Sequence, residues 1–276
     1  MNVGVAGLGL IGGSLAKAYS SGKHTVYGYD IDESIFSFAK LSGAVNGPLD
    51  ASTIKLCDVL LVAVNPEDAV KYMENTAPDI AKHTFVIDCC GVKRYICDRC
   101  FPLAKKYGFT FVGGHPMAGS HKGGFKNSRE NLFRGASMIL VPPVFDDARL
   151  FGKIEELIKP AGFGNLTFTT AEKHDEMIAF SSQMAHVVSN AFIKSPSAGG
   201  HKGFSAGSYK DLTRVAQLNA GMWAELFMKN SDNLSNELDI LIKELSRYRD
   251  ALADKNEAKM TELLIEGSKI KEKLDR

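Results

Sequence analysis

The chain of 276 residues is long enough for two domains, and 45% hydrophobic with 24% charged residues is an ordinary globular composition. A formal net charge of +1 gives no reason to expect nucleic acid or an anionic membrane as a partner. No apolar run approaches the roughly 20 residues that cross a bilayer, and the chain enters a core strand without a signal peptide, so we expect a cytoplasmic protein.

The cysteines are predicted to be free thiols, because an odd count does not suit a disulfide framework. Cys97 and Cys100 form a CxxC pair, but a zinc site needs two more ligands. The adjacent Cys89 and Cys90 lie near a strand end, where closing a tetrahedral site is difficult. The sequence therefore predicts no metal site.

A glycine-rich turn follows the first predicted strand, residues 3–6, and precedes a predicted helix, residues 14–19. In a dinucleotide fingerprint the first glycine permits the tight turn, the second lets the backbone approach a pyrophosphate, and the third lets the helix pack closely on the strand. The helix start adds free N–H groups and a positive dipole end. The residues assigned to this cofactor turn are Gly7, Gly9, Leu10, Ile11 and Gly12.

The second predicted strand, residues 25–29, ends in Asp30, about 18 residues beyond Gly12. A carboxylate at that spacing accepts hydrogen bonds from ribose hydroxyls and repels a 2′-phosphate, so the sequence favours NAD over NADP. The alternative is a glycine-rich turn that binds no nucleotide.

Strands and helices alternate through residue 170, which predicts an α/β fold with a Rossmann-type doubly wound parallel sheet. The further predicted strands are 58–64, 85–88, 110–113, 131–136 with 138–141, and 166–169, and the helices are 33–40, 66–75, 94–107 and 146–159. Ligands bind at the carboxyl ends of such strands. We therefore assign Val64, Asn65, Pro66 and Gly91, which follow two of these strands, to the cofactor site.

His115 follows the strand at 110–113 in a glycine-rich stretch, residues 113–124. Glycines admit close approach, and Pro116 stiffens the exit from the strand. A neutral imidazole at this edge could take a proton near pH 7, and the alternative is a histidine that caps a turn. Beside a predicted nicotinamide site we favour catalysis, and Ser120 of the same stretch is assigned to the substrate.

From residue 171 the pattern becomes helical, so we expect a domain boundary between 1–170 and 171–276. Three of the predicted helices are 171–194, 232–250 and 257–273. A fourth opens with a capping box at 208–211 and continues through residue 226. Ser182 and His186 lie four residues apart and share a helix face. An all-helical domain of this kind often forms a dimer interface and one wall of the substrate pocket, which is an analogy at the level of the fold.

Arg214 has two interpretations. It could lie on the solvated face of its helix, or its planar guanidinium could hold a carboxylate at two points. The spacing of the sequence leaves both open.

The sequence resembles the prephenate dehydrogenase family over nearly its whole length. The residues that carry the resemblance are the glycine turn, Asp30, Gly114-His115-Pro116-Met117-Ala118-Gly119, Asn131-Leu132-Phe133, His174-Asp175, His186, and Asp211-Leu212-Thr213-Arg214 followed by Met222-Trp223. The resemblance implies an NAD-dependent oxidative decarboxylation of prephenate to 4-hydroxyphenylpyruvate in tyrosine biosynthesis. The fold-level analogy with such all-helical domains predicts a homodimer formed through the C-terminal helices.

The resemblance further implies roles for single residues. His115 would accept a hydrogen bond or proton from the ring hydroxyl, and Arg214 would hold a substrate carboxylate. Ser182 and His186 would line the pocket.

Two departures from the family pattern leave alternatives open. Many relatives have a serine at the position of Gly91, which would help to orient the hydroxyl and the histidine. Many also have an acid at the position of His121, and its replacement puts the choice between prephenate and arogenate in doubt. Another two-domain NAD(P) reductase, or a non-enzymatic NAD-binding sensor, would share the glycine turn without needing the histidine stretch.

Overall fold

The computed structural model describes residues 1–120 and 122–275, and its first half is built on an eight-stranded sheet. The strands are β1 (Asn2–Ala6), β2 (Thr25–Tyr29), β3 (Gly47–Pro48), β4 (Val59–Val62), β5 (Phe85–Asp88), β6 (Thr110–Pro116), β7 (Ser137–Val141) and β8 (Asn165–Phe168). The helices of this half are α1 (Leu10–Ser21), α2 (Glu33–Leu41), α3 (Pro66–Thr76), α4 (Arg94–Tyr107) and α5 (Ala148–Ile158).

The strand order is β3-β2-β1-β4-β5-β6-β7-β8, which confirms the predicted α/β class. Strand β1 pairs in parallel with β2 on one side and β4 on the other, so the winding direction reverses between them. In open α/β sheets this reversal opens a crevice at the carboxyl ends of the strands. The glycine turn follows β1 and lies at that crevice.

Two apolar cores cover the two faces of the sheet, because alternate residues of a strand point to opposite sides. Leu61 and Ile87 belong to a core that includes α1 and α5. Their neighbours Leu60 and Val86 belong to a second core with α3 and α4. Strands buried on both faces explain the nearly continuous apolar runs in the sequence.

One strand pair departs from the predicted parallel sheet. Strand β7 runs antiparallel to β6, with His115 opposite Ile139. A parallel return needs a crossover of a dozen or more residues, usually helical, and the only regular element described between β6 and β7 is the short 3-10 turn Phe125–Asn127. The predicted strand at 131–136 was wrong, since the ladder begins at Ser137.

The second half consists of α6 (Ala171–Ile178), α7 (Ala185–Phe192), α8 (Gly207–Thr213), α9 (Ala220–Lys229), α10 (Ser231–Ala253) and α11 (Glu257–Leu274). The predicted helix 171–194 is interrupted by a π turn, Ala179–Met184, between α6 and α7. Within the described ranges, no helix is long and apolar enough to cross a membrane.

The single helix predicted from the capping box at 208–211 is instead two helices. Helix α8 begins at Gly207 without a side-chain cap, so the serine and aspartate of that motif do not form the box. Helix α9 begins after Asn219, whose side-chain oxygen accepts the N–H of Met222 at 3.1 Å. Asparagine is a strong N-cap, so it starts a new helix here.

Candidate active site

The glycine turn has the geometry of a phosphate cradle. Gly7 has a φ of +86°, a conformation that favours glycine. A Cβ at Gly12 would lie 1.7 Å from the carbonyl oxygen of Gly7, so a side chain there would break the contact between α1 and the turn. A Cβ at Gly9 would have no neighbour within 4 Å, which leaves the backbone open to a ligand. The residues present therefore fit a dinucleotide pyrophosphate.

Asp30 lies at the end of β2 with its carboxylate oriented by two backbone donors. Its Oδ2 accepts the N–H of Leu8 at 2.8 Å, and its Oδ1 accepts that of Asp32 at 3.0 Å. The side chain remains partly exposed. Each carboxylate oxygen keeps acceptor capacity that ribose hydroxyls can use.

The other residues assigned to the cofactor lie along the same edge of the sheet. Val64 packs against the glycine turn, since a Cβ at Gly7 would come within 2.5 Å of its Cγ1. Exposed Asn65 precedes α3, and Pro66 is the buried first residue of that helix. Leu10 and Ile11 are partly buried in the first turn of α1.

Gly91 links this edge to the predicted catalytic histidine. A Cβ built there would lie 3.9 Å from Cε1 of His115 and 3.2 Å from Cδ2 of Leu226. The methyl groups of Leu226 thus cover the place where a side chain at position 91 would begin. A serine could enter only if Leu226 moved by a few tenths of an ångström.

His115 lies on β6, partly exposed, at one end of a row of three titratable side chains. Its Nδ1 is 2.9 Å from Nε2 of His174, and Nδ1 of His174 is 2.7 Å from Oδ1 of Asp175. His174 and Asp175 are buried and come from α6, so the row joins the sheet to the helical half. Sequence analysis assigned no role to either residue.

The surroundings of His115 keep it neutral. Burial, and after it the neighbouring His174 and Lys93, hold the pKa of His115 well below its ordinary value of 6.5. Burial also lowers the pKa of His174, although the hydrogen bond to Asp175 opposes this. An uncharged imidazole near pH 7 can accept a proton.

A buried ion pair holds the backbone of Gly114, immediately before His115. The ammonium of Lys93 pairs with Asp88 and donates to the carbonyl oxygen of Gly114 at 2.6 Å. Asp88 in turn accepts the N–H groups of Gly114 at 2.9 Å and of Cys90 at 2.8 Å. Although burial lowers it, the charge of Asp88 raises the pKa of Lys93, which therefore stays charged. Sequence reasoning missed Lys93; the available signal was an aspartate ending a buried strand, which requires a partner.

Two carboxylates of the helical half cap helices that begin at this edge. Asp175 accepts the N–H groups of Lys93 at 2.7 Å and Arg94 at 3.0 Å, at the start of α4. Glu225 accepts the N–H of Glu67 at 2.8 Å, in the first turn of α3. Both contacts place a negative charge at a positive helix end and dock the second half onto the sheet.

The residues assigned to the substrate fall into two groups. Ser182 and His186 lie together across the π turn, with Nδ1 of His186 donating to the carbonyl oxygen of Ser182 at 2.8 Å. The imidazole of His186 stacks on Trp223 with ring centroids 3.9 Å apart. Ser120 and Arg214 are exposed, and no contact between described residues joins either of them to His115. His121 lies outside the described residues.

Arg214 is an exposed cation directly after α8. Among residues 1–120 and 122–275 it has no hydrogen-bond or ion-pair partner. An arginine without a protein carboxylate retains its full capacity to bind an anion.

The cysteines are free thiols, as predicted. In the described part of the chain, no group of three or more His, Cys, Asp and Glu side chains is arranged to hold a metal ion.

Comparisons with known proteins identify close similarity in both halves. Residues 15–164 match the family model for the nucleotide-binding domain of prephenate dehydrogenase, and residues 170–266 match that for its dimerization domain. A prephenate dehydrogenase of Bacillus subtilis (strain 168) is 30% identical over 257 residues, covering 89% of this chain and 68% of that protein. A cyclohexadienyl dehydrogenase of Zymomonas mobilis is 26% identical over 265 residues, covering 92% and 89% of the two chains.

A solved structure shares the architecture of the whole chain. The prephenate dehydrogenase of A. aeolicus, crystallised with hydroxyphenyl propionate and NAD+, superposes with a TM-score of 0.84 at 26% identity. The match covers 99% of this chain and 98% of that one.

Proposed function

Because this chain belongs to the prephenate dehydrogenase family of NAD-dependent oxidoreductases, we propose that it converts prephenate to 4-hydroxyphenylpyruvate in tyrosine biosynthesis. The observation that carries the proposal is a neutral His115 at the same edge of the sheet as the dinucleotide turn, next to Gly91. A proton acceptor at that place suits the oxidation of an alcohol next to a hydride acceptor.

The cofactor in this proposal is NAD+. The pyrophosphate would lie on Gly7, Gly9 and Gly12, and the ribose hydroxyls would bind Asp30. Val64, Asn65, Pro66, Gly91, Leu10 and Ile11 would complete the site. When bound, NAD+ supplies the hydride acceptor.

His115 would act on the ring hydroxyl of prephenate. Its Nε2 accepts a hydrogen bond from that hydroxyl and takes the proton while the hydroxyl-bearing carbon is oxidised. The bond from the ring to its carboxylate then breaks, its electron pair enters the ring, and CO2 leaves. The proton returns to the oxygen of the new phenol, so His115 ends the cycle neutral.

Five side chains would hold the substrate. The free guanidinium of Arg214 is suited to one of the carboxylates. The adjacent rings of His186 and Trp223 offer an aromatic surface to the ring, and Ser182 lies beside it. Ser120, on the exposed stretch after His115, would close the pocket from the sheet side.

The chain is also proposed to form a homodimer through its C-terminal helices. Support comes from the match to a dimerization domain and from exposed apolar side chains along α10 and α11. They are Ile240, Ile242, Leu245, Leu252, Leu264, Ile265, Ile270 and Leu274. Burying apolar area on this scale drives association. Light scattering after gel filtration should give twice the chain mass, and a monomer would refute this part.

We also propose a two-domain organisation and a cytoplasmic location. The division between 1–170 and 171–276 falls where the last strand ends and α6 begins. Free thiols suit a cytoplasmic enzyme.

The test is NADH formation from NAD+ with either prephenate or arogenate, in the parent and in His115→Asn. Turnover of prephenate that is lost in the variant, with NAD+ binding retained, is the expected result. Turnover of arogenate alone would move the assignment to the alternative substrate. No turnover with either, despite NAD+ binding, would reject the dehydrogenase.

A further inference from the structure

We propose that His174 and Asp175 are positioning residues that hold His115 in the one tautomer whose Nε2 carries a lone pair. The inference rests on the proposed role of His115 as proton acceptor. A histidine that must take a proton through Nε2 has to carry its own ring hydrogen on Nδ1.

The ionised state of Asp175 determines which ring nitrogen of His174 carries a hydrogen. Its carboxylate accepts the N–H groups of Lys93 and Arg94, at 2.7 and 3.0 Å. Against the effect of burial, these bonds and that from His174 hold the pKa of Asp175 below its ordinary value. An ionised carboxylate only accepts hydrogen bonds. The contact of 2.7 Å to Nδ1 of His174 therefore requires the proton on that nitrogen.

The position of the ring proton on His174 in turn determines that on His115. His174 is neutral, so a proton on its Nδ1 leaves a lone pair on its Nε2. That lone pair lies 2.9 Å from Nδ1 of His115, which must then be the donor. Nε2 of His115 is left as an acceptor for the substrate. If His174 were protonated, the direction of this bond would reverse and Nε2 of His115 would carry the hydrogen.

In the described part of the chain, no other group competes to orient the His115 ring. Among the residues that the structure describes, His174 is the sole hydrogen-bond partner of the His115 ring. Gly91, nearest to the ring edge at Cε1, has no side chain to offer. The charge of Lys93 lowers the pKa of both His115 and His174 and so disfavours their positively charged forms.

The two positioning residues are themselves held on several sides. Asp175 caps α4, and its backbone carbonyl oxygen accepts from Nδ2 of Asn230 at 2.8 Å. The same amide nitrogen lies 2.8 Å from Oε1 of Gln183 in the π turn. Supporting bonds of this kind keep a site within the narrow geometry that catalysis needs.

The first test reads the tautomer directly. Ring nitrogen-15 NMR of the NAD+-bound protein, with the His115 signals assigned by their loss in His115→Asn, should show a hydrogen on Nδ1 and none on Nε2. In His174→Phe, which keeps a ring but removes the acceptor, the Nε2–H form should gain population. A parent enzyme with Nε2–H would overturn the proposal.

The second test measures turnover. We expect kcat with prephenate to fall by about 100-fold in His174→Phe, which is the usual worth of a positioned proton acceptor. His174→Gln, whose amide oxygen can accept from Nδ1 of His115, should recover most of that loss, with the dissociation constant for NAD+ unchanged in both. A kcat in His174→Phe within about threefold of the parent would reduce the pair to a structural role.

These outcomes separate the proposal from the proposed function. If the parent turns over neither prephenate nor arogenate, the dehydrogenase assignment fails. The NMR measurement on the parent still decides the tautomer, and it does so even if His174→Phe does not fold.

Discussion

Lys93 and Asp88 form an ion pair from which solvent is excluded, with side-chain exposures of 0% and 1%. The pair joins the end of β5 to the start of α4, and both members hold the backbone of Gly114 immediately before His115. The position of His115, the proposed proton acceptor, thus depends on two charges that are buried away from solvent.

Replacing Lys93 by methionine should strongly destabilise the protein. The change keeps the apolar stem but leaves the Asp88 carboxylate buried without its cation, which costs about 3–5 kcal/mol. Urea unfolding measures the free energy. Lys153→Met, which breaks an exposed pair with Glu156, is the matched control and should change it by less than about 1 kcal/mol. Equal losses in the two variants would contradict the prediction.

Removing the Asp30 carboxylate should shift the cofactor preference. In Asp30→Ala the ribose hydroxyls lose an acceptor while a 2′-phosphate loses a repulsive charge, so NAD+ binding should weaken more than NADP+ binding. Dissociation constants for the two nucleotides give the ratio. Asp32→Ala, which removes only the cap of α2, should leave that ratio unchanged. An unaltered ratio in Asp30→Ala would mean that the carboxylate serves only the turn.

The pH dependence of kcat/KM should show a depressed histidine. Burial first, and then His174 and Lys93, place the pKa of His115 well below 6.5. The neutral, active form therefore persists as the pH falls through 6.5, and activity should decline only at more acidic pH, where His115 takes up a proton. Initial rates between about pH 5 and 8 cover the range in which an ordinary histidine titrates. An acidic limb centred at or above 6.5 would show that His115 is not shielded in this way.

Arg214 should matter for substrate affinity. Since Arg214→Ala removes the proposed partner of a substrate carboxylate, KM for prephenate should rise at least about tenfold with little change in NAD+ affinity. Lys210→Ala, an exposed cation on the same helix, is the control and should leave KM within about twofold. A similar small change in Arg214→Ala would place Arg214 among ordinary surface residues.

The features of the cofactor site could be predicted from the sequence, because each depends on residues that are close together in the chain. The strand, the glycine turn and the helix follow one another, and Asp30 ends the next strand. Short apolar runs separated by turn residues likewise predicted most strands and helices of the first half.

The features that could not be predicted depend on contacts between distant segments. His174 lies 59 residues beyond His115, and nothing in the local pattern says that α6 brings them together. The reversed strand β7 follows from a connection in which the described residues form no crossover helix. The break before α9 arises because Asn219 caps a new helix. The motif at 208–211 matches the sequence pattern of a capping box but forms no side-chain cap.

The π turn at Ala179–Met184 sets the rotation about the helix axis between the side chains of His174 and His186. Each residue of a helix advances the direction of its side chains by about 100°. Deleting one residue within the turn would leave the contact between His174 and His115 in place but rotate His186 away from Trp223. The number of residues in the turn therefore fixes how the His174–His115 contact is oriented relative to the His186–Trp223 pair. Single-residue insertions and deletions in this segment should be far more harmful to activity than substitutions of its exposed side chains.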